Sequence, residues 1–404
     1  MSGRQPCRAC GAATTVLVDF GPQTPSNRFE APEQLVADRH PLVVSQCDQC
    51  ALIQLDNPMP PAMAKSRFEW LTYNEPEGHL DDLVSRLRKL PGLEQPEARI
   101  AGLTYKDDST LARFNKLGYA NTYRYDPAAD MGLQDPCASL ESIQAALDDS
   151  AASRLAGKHG LADLLLVRHV LEHAHDPLQF LRAASKLVKP GGHLLFEMPD
   201  CTKFIKARDY CFIWEEHITY LSAATLAGLV GNAGLSLEDT VVYPYPLEDS
   251  LVGIVRNSPV KPLQSTPGRD ALIEDGQVFS RGFSERRTRL QALFAGWQRA
   301  GRPVAVFGAG HLAAKFINMY GLGGMIDCVI DDNSHKQSLL MPGSRLAIRG
   351  SAELESRGIK TCLLSLSPES EQKVRARNQT FMDHGGRFLS IFALSPVSVY
   401  TAEA

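Results

Sequence analysis

The apolar run from Leu161 to Val167 (LADLLLV) constrains the fold most, because it leaves no polar face for solvent. Such a strand must be covered on both sides, which is typical of parallel sheets flanked by helices. A helical stretch from Pro177 to Val188 follows, Lys-Pro-Gly-Gly stops it, and the apolar strand HLLFEM comes next. This β-α-β alternation predicts a doubly wound sheet and therefore an α/β fold class.

The length of 404 residues exceeds what one hydrophobic core supports, so we expect two or three domains. We predict a small loop-rich zinc-binding module at residues 1–75, a first Rossmann-like sheet at 76–256 and a second Rossmann-like sheet at 257–404. The Pro- and Ser-rich stretch NSPVKPLQSTPGRD favours a linker at the second boundary. Further expected elements are strands at 99–103, 122–125, 303–307 and 328–330, and helices at 109–117 and 271–300.

Composition narrows the class of protein. A net charge of -4 and an isoelectric point near 6.3 argue against nucleic acid as a partner. No apolar run approaches the roughly 20 residues that span a bilayer, and the start MSGRQPCRACG lacks the apolar region of a secretory signal. We therefore expect a cytoplasmic protein with no membrane partner. Disulfides are rare in that compartment, so the nine cysteines need another explanation.

Four of the nine cysteines can be explained as metal ligands. Cys7 and Cys10 form one CxxC pair, and Cys47 and Cys50 form a second. Two such turns can surround one tetrahedral Zn²⁺ with no open position, which is typical of a structural site. The alternative is four free thiols that fall into two pairs by chance. We predict a bound zinc ion.

The stretch LLLVRHVLEHAHDPLQFLRAASKLVKPGGHLLFEMPD resembles the fourth and fifth strands of class I S-adenosylmethionine-dependent methyltransferases. It would bring His169 and Glu172 to the carboxyl edge of the sheet, where open α/β folds bind ligands. The turn after the first strand has one glycine, Gly102, where such folds usually have two or three. Asp126, about 20 residues further on, fits the acidic group that holds a ribose diol. We predict that these four residues bind S-adenosylmethionine; loss of the cofactor site, or simple packing of each residue, is the alternative.

The segment DYCFIWEEHITY at residues 209–220 extends the resemblance to the whole chain. The order of segments, with HPLVVSQCDQCALIQL and IDDNSHKQSLLMPGSRLAI, is similar to bacterial nucleotide-sugar C-methyltransferases. Those enzymes have a zinc-binding domain, a methyltransferase domain and a C-terminal Rossmann-like domain. Their pattern Tyr-x-x-Ile-Tyr-x-Glu-His-x-x-Tyr is matched here by Tyr210, Ile213, Glu216, His217 and Tyr220, with Trp214 in place of a tyrosine.

The resemblance implies methylation of a carbon next to a ketone. This chemistry needs a base, and His217 suits that role because its pKa lies near neutrality. We assign Glu216 as its orienting or substrate-binding partner and Tyr220 or Tyr210 as donors to the enolate oxygen. The alternative for this segment is an ordinary helix start with an exposed Glu-Glu-His.

Three further residues are candidates near the substrate. Trp214 offers an N–H where the family has a hydroxyl. Tyr73 and His79 lie in FEWLTYNEPEGH, which resembles a segment of the family close to the substrate, and Tyr73 is a candidate catalytic residue.

In the C-terminal part, Gly308 and Gly310 belong to a turn, GAGHLA, that resembles a dinucleotide fingerprint. Such a turn presents backbone N–H groups to a phosphate, although a tight turn without a ligand fits equally. Asp331 could then bind a ribose in an NAD-dependent enzyme. By resemblance, the domain instead holds a nucleotide-sugar, with Lys315 as a diphosphate contact.

Four functions remain open from the sequence. The leading one is S-adenosylmethionine-dependent C-methylation of a ketone on a nucleotide-linked deoxysugar. The second is epimerisation or isomerisation by His217 without methyl transfer, favoured by the unusual turn at Gly102 and by Trp214. The third is a non-catalytic binding protein, and the fourth is an NAD-dependent oxidoreductase.

Overall fold

The structure, a computed structural model, describes residues 5–34, 38–71, 75–261 and 265–403. The chain forms two compact units. Unit 1 contains Met1–Val16, Val44–Thr202 and Glu216–Glu274, and unit 2 contains Leu17–Val43, Lys203–Glu215 and Asp275–Ala404. The division into functional domains at residues 75 and 256 stays a prediction.

The helices and strands follow the expected alternation. The strands are β1 (Thr14–Gln23), β2 (His40–Cys47), β3 (Ile53–Leu55), β4 (Ile100–Gly102), β5 (Thr122–Arg124), β6 (Ala162–Arg168), β7 (Val188–Asp200), β8 (Thr219–Tyr220), β9 (Ser236–Tyr243), β10 (Asp249–Arg256), β11 (Val304–Phe307), β12 (Cys328–Ile330), β13 (Ile348–Arg349), β14 (Thr361–Leu364) and β15 (Arg387–Ser390). The helices are α1 (Pro61–Ala64), α2 (Leu80–Leu87), α3 (Asp108–Lys116), α4 (Pro127–Met131), α5 (Leu140–Ala146), α6 (Asp149–His159), α7 (Pro177–Ser185), α8 (Thr202–Ala207), α9 (Ala223–Asn232), α10 (Arg269–Arg299), α11 (His311–Tyr320), α12 (Glu353–Ser356), α13 (Pro368–Arg377) and α14 (Gln379–Asp383).

Unit 1 is built on a six-stranded sheet of order β5-β4-β6-β7-β10-β9. The first four strands are parallel, and β10 runs antiparallel to β7 and β9. Leu164 and Leu166 of β6 enter one hydrophobic core, and Leu165 and Val167 enter the other. The predicted burial of this strand on both faces is therefore confirmed, because each face of the sheet has its own core.

The connection between α7 and β7 differs from the expected one. Pro177 occupies the first turn of α7, and the Asp176 side chain accepts a hydrogen bond from the Gln179 amide at 3.0 Å. The helix ends at Ser185, and β7 already begins at Val188. The Lys-Pro-Gly-Gly segment is thus part of the strand and does not separate the two elements.

Unit 2 contains a five-stranded parallel sheet of order β13-β12-β11-β14-β15. Its central strand, β11, leads into α11 through the turn Gly308-Ala309-Gly310. Together with the sheet of unit 1, this confirms the predicted α/β class with two Rossmann-like sheets.

The N-terminal region contains more strand than the loop-rich module that we predict. β1 and β2 belong to a four-stranded sheet of order β1-β2-β3-β8. The sequence signal is weak because β1 alternates imperfectly between buried and exposed side chains. Within the ranges that the structure describes, no helix combines the length and apolarity needed to cross a bilayer.

Candidate active site

The four predicted zinc ligands come together in unit 1. The Sγ atoms of Cys7 and Cys50 are 3.5 Å apart, and those of Cys10 and Cys47 are also 3.5 Å apart. All four sulfur atoms lie within 4.8 Å of one another. A tetrahedral zinc–thiolate site, with Zn–S bonds of about 2.3 Å, places its sulfurs about 3.8 Å apart. The cluster therefore has the dimensions of such a site.

Close packing in the turn after β4 explains why position 102 is a glycine. A Cβ atom on Gly102 would lie 2.8 Å from Cβ of Asp107 and 2.9 Å from Cδ1 of Leu111, so only glycine fits there. The Asp107 carboxylate accepts hydrogen bonds at 2.8 Å from the amides of Leu103 and Thr104. Burial raises the pKa of Asp107 to about 7. The turn is thus held by a buried carboxyl group where related folds use additional glycines.

Asp126 lies just beyond the carboxyl end of β5, the strand next to β4. One of its oxygens accepts a hydrogen bond from the amide of Ala129 at 2.7 Å and so caps α4. The residue is exposed, as a group that contacts a ribose must be. Its assignment to the cofactor stays a prediction.

A buried carboxylate that the sequence analysis missed, Glu197 of β7, lies at the centre of a polar network. Its oxygens lie 2.5 Å from Nε of Arg168, 3.0 Å from Nε2 of His79 and 3.4 Å from Nε2 of His169. Ser250 donates a further hydrogen bond at 2.9 Å. Although burial alone would raise the pKa of Glu197, its histidine and arginine partners hold that pKa well below its usual range. Glu197 is therefore ionised and fixes the ends of β6 and α2.

His79 is engaged within this network on both sides of its ring. Its Nδ1 atom lies 2.8 Å from the hydroxyl of Tyr245, and its ring packs on Tyr243 with the centroids 4.5 Å apart. Only 6% of the residue is exposed. This placement does not support the predicted contact of His79 with the substrate, and it describes a structural role.

His169 follows β6 in a left-handed backbone conformation with φ of 54°, and its ring lies between Glu172 and Glu197. Burial alone would lower the pKa of His169, but the charge of Glu75 and the proximity of Glu172 and Glu197 raise it to about 10. The Nδ1 atom of His169 is 3.6 Å from Oε1 of Glu172. Glu172 is 2% exposed, and neither of its oxygens accepts a hydrogen bond from the residues that the structure describes.

The predicted base, His217, lies against a second histidine in unit 1. The rings of His217 and His173 form an edge-to-face pair with centroids 4.9 Å apart. Nδ1 of His173 is 2.9 Å from Oε1 of Glu141, and this charge raises the pKa of His173 although burial opposes the shift. Polar atoms of Glu172, His173 and His217 lie within 4.8 Å of one another. His217 is only partly buried, whereas its neighbours are fully buried.

Glu216 and Tyr220 join the same part of unit 1. Polar atoms of Glu216, Glu141 and His173 lie within 4.8 Å of one another, so Glu216 lies beside the Glu141–His173 pair. Tyr220 lies in β8, and its ring centroid is 6.3 Å from that of His217. The structure thus brings together His169, Glu172, Glu216, His217 and Tyr220.

Tyr210 and Trp214 belong to unit 2. The hydroxyl of Tyr210 donates to the carbonyl of Phe279 at 2.6 Å within a buried aromatic cluster. This placement does not support the predicted role of Tyr210 as an oxyanion donor. Trp214 stacks on His311 with centroids 4.2 Å apart and an interplanar angle of 22°.

The fingerprint turn of unit 2 requires glycine at position 308 but not at position 310. Gly308 has a φ of 102°, and a Cβ atom there would lie 2.7 Å from Oγ of Ser365, whereas Gly310 has open space around it. The amide of Ala309 donates to Asp331 at 2.9 Å, and Nζ of Lys336 lies 3.0 Å from the same carboxylate. Asp331 therefore stabilises the turn itself, which does not favour its use as a ribose contact of NAD.

Lys315 is placed differently from the sequence expectation. It is fully buried, and its ammonium lies 2.5 Å from Oε2 of Glu215. This position does not support a diphosphate contact. Tyr73 lies outside the described residues.

Several functional residues have only a weak sequence signal. Glu197 is a lone carboxylate within an apolar strand, and Arg168 is a lone cation at the end of another, which marks both as buried and paired. Glu141 belongs to an ordinary amphipathic helix, α5, and nothing in the sequence distinguishes it.

Comparison with known proteins adds to this geometry. Residues 7–240, more than half of the chain, match the family model described as a methyltransferase domain. The chain belongs to the methyltransferase family. Residues 273–393 also match the C-methyltransferase C-terminal domain. The protein is therefore an S-adenosylmethionine-dependent methyltransferase of the C-methylating type, as its two domain matches predict.

The chain is also similar to individual known proteins. The methyltransferase is 24% identical over 406 residues to C-methyltransferase NovU of Streptomyces niveus, covering 95% of this chain and 94% of the relative. A ubiquinone biosynthesis O-methyltransferase of Vibrio parahaemolyticus is 40% identical over 57 residues, which is 14% of this chain and 23% of that protein. Among solved structures, 1,6-didemethyltoxoflavin-N1-methyltransferase of Burkholderia thailandensis, with S-adenosylhomocysteine bound, is 14% identical with a TM-score of 0.30, covering 45% of this chain and 79% of that one.

Proposed function

We propose that this C-methyltransferase methylates the carbon next to a ketone on a nucleotide-linked deoxysugar, with His217 as the general base. The observation that carries the proposal is the placement of His217, a partly exposed imidazole in a cluster of buried acids and histidines. A substrate can reach such a ring, while the protein around it remains fixed. A base of this kind suits removal of a proton that a carbonyl has made acidic.

The residues at the carboxyl edge of the unit 1 sheet fit S-adenosylmethionine. Glu172 offers a buried carboxylate whose oxygens have no hydrogen-bond donor among the described residues, which suits the ammonium group or the sulfonium of the cofactor. Asp126 offers an exposed carboxylate on the neighbouring strand end for the ribose hydroxyls. Gly102 lets the intervening turn pack closely on the strand. When bound, the cofactor supplies an electrophilic methyl group.

Proton removal falls to His217 in this scheme. The imidazole takes the proton from the carbon next to the ketone, and the electron pair of that C–H bond becomes the enolate. His173 contacts the ring of His217, and Glu141 pairs with His173. Glu216, whose carboxylate lies near Glu141 and His173, is our candidate for the negative charge that stabilises the imidazolium form. Tyr220 is our candidate for the hydroxyl that faces the enolate oxygen. After methylation, His217 returns its proton to solvent.

We further propose that the cluster of Cys7, Cys10, Cys47 and Cys50 holds a structural Zn²⁺. The short separations of the four sulfurs support a closed tetrahedral shell.

The nucleotide part of the substrate is assigned to unit 2. Gly308 and Gly310 support this assignment, because they lie in the turn before α11, and Gly310, the N-cap residue, has no side chain that could cap the helix. Backbone amides at such a position suit a phosphate. Trp214, stacked on the first residue of α11, is a candidate for a further contact.

The test uses nucleotide-linked keto-deoxysugars with methyl-labelled S-adenosylmethionine. We expect His217→Gln to lower kcat by about 100-fold or more, the usual contribution of a general base, without changing the affinity for S-adenosylhomocysteine. The variant should also stop exchange of deuterium into the position next to the ketone. Unchanged turnover would remove His217 as the base, and exchange without methylation in the wild type would favour epimerisation.

A further inference from the structure

Two consecutive residues that precede the proposed base pack on one face of α11. Trp214 stacks on His311, and Glu215 pairs with Lys315 at 2.5 Å. Positions 311 and 315 are four residues apart, so their side chains lie one above the other on the same side of the helix. The chain is therefore held against α11 at two adjacent points immediately before Glu216.

The Glu215–Lys315 pair is more deeply buried than any ordinary surface salt bridge. Lys315 has no exposed side-chain area and Glu215 has 2%. The amide of Ser26 also donates to Glu215, and its hydroxyl lies 3.5 Å from the other carboxylate oxygen. Although burial alone would raise the pKa of Glu215, Lys315 lowers it, so the pair is ionic.

A buried ion pair of this kind is a poor device for stability. Apolar residues of the same volume often stabilise a protein equally well, because two charges lose their hydration on burial. What the pair provides is geometry, since each charge is satisfied only when the other is at hydrogen-bond distance. A shift of the chain at Glu215 would leave both charges unpaired, so this position is strongly fixed.

Because the position of residue 215 is fixed, the position of the base two residues later in the chain is restricted as well. Consecutive Cα atoms are 3.8 Å apart, so Cα of residue 217 lies within about 7.6 Å of Cα of residue 215. We propose that Lys315 is a positioning residue, which fixes Glu215 and so sets the point from which the chain delivers Glu216 and His217. This inference rests on the proposed role of His217 as the base.

The test compares a neutral pair with the ionic one. In the double variant Glu215→Met/Lys315→Met, both charges are removed and the volume is kept, so the protein should fold even where Lys315→Met alone does not. The matched control is Glu369→Met/Lys373→Met, which removes an exposed ion pair from α13 of the same unit. Each protein is assayed for methyl transfer, for thermal unfolding and for binding of S-adenosylhomocysteine.

We expect the Glu215/Lys315 double variant to remain folded and to keep its affinity for S-adenosylhomocysteine, with a lower unfolding temperature because the Ser26 amide loses its acceptor. Its kcat should fall by about 10- to 100-fold, with KM changed by less than about threefold, because small misplacement of a reacting group has effects of this size. A wild-type kcat in this variant would overturn the proposal. A rise in KM for the nucleotide-sugar with unchanged kcat would also overturn it and would make Lys315 a substrate contact.

A measurement without substrate separates this proposal from the identity of the reaction. In protein with labelled histidine, the NMR signal of the His217 ring is assigned by its loss in His217→Gln. We expect this signal to shift or broaden in the Glu215/Lys315 double variant and to stay unchanged in the control. An unchanged signal would refute the positioning role even if no tested ketone is methylated.

Discussion

The polar network around Glu197 leads to a specific pH dependence that can be assigned to His169. The structure raises the pKa of His169 from 6.5 to about 10, so the folded protein holds this proton over a range in which the unfolded chain releases it. A raised pKa adds stability that is complete below pH 6.5 and is lost as the pH rises through 10. Replacement of His169 by Asn removes the titrating group, and Asn tolerates the left-handed backbone at this position.

The size of the effect follows from the shift. Each pH unit between the two pKa values corresponds to about 1.4 kcal/mol, so His169 should account for a loss of roughly 2–3 kcal/mol between pH 7 and pH 9. In a unit of this size, 1 kcal/mol changes the unfolding temperature by about 2–4 °C. The wild type should therefore lose roughly 5–10 °C more than His169→Asn over this pH range.

The assay is thermal unfolding at pH 6, 7, 8 and 9, with zinc kept constant. The difference between wild type and variant removes contributions from thiols and other carboxyl groups, which titrate in both. His384→Asn is the matched control, because His384 is an exposed histidine beside Glu355. Parallel curves for wild type and His169→Asn would refute the argument, since they would show that the His169 proton does not contribute to stability.

Three further predictions follow from single contacts. Cys47→Ser should reduce bound zinc, measured by elemental analysis, from one ion per chain to almost none, whereas the control Cys137→Ser, outside the cluster, should keep its zinc. Full zinc content in Cys47→Ser would contradict the site. Glu172→Gln should weaken the binding of S-adenosylhomocysteine, measured by calorimetry, about 10-fold, which is the effect of losing one charged hydrogen bond. The exposed control Glu97→Gln should bind normally. Equal affinities of Glu172→Gln and the wild type would remove Glu172 from the cofactor site. Tyr210→Phe should lower the free energy of unfolding by about 1 kcal/mol, because the hydrogen bond from the Tyr210 hydroxyl to the Phe279 carbonyl is lost. No change in denaturant unfolding would contradict this packing role.

The sequence alone was sufficient for features that depend on local pattern. The run LADLLLV lacks a polar face, so burial between two helical layers was predictable, and β6 has that environment. Each CxxC turn keeps its own two sulfur atoms close together, whereas the 3.5 Å contacts of Cys7 with Cys50 and of Cys10 with Cys47 join different pairs and depend on the fold. The match of residues 209–220 to a family pattern pointed to His217 and Glu216, and the structure places both beside buried acids.

Tertiary structure decided which polar side chains are satisfied within the protein. Lys315, Tyr210 and His79 were all predicted to face a ligand, yet each is paired with Glu215, the Phe279 carbonyl or Glu197. These partners are separated from them by about 70 residues or more, and no local pattern encodes such a pairing. The sequence thus determined the kinds of chemical groups available, whereas their exposure, charge state and partners depended on which distant segments burial brought together.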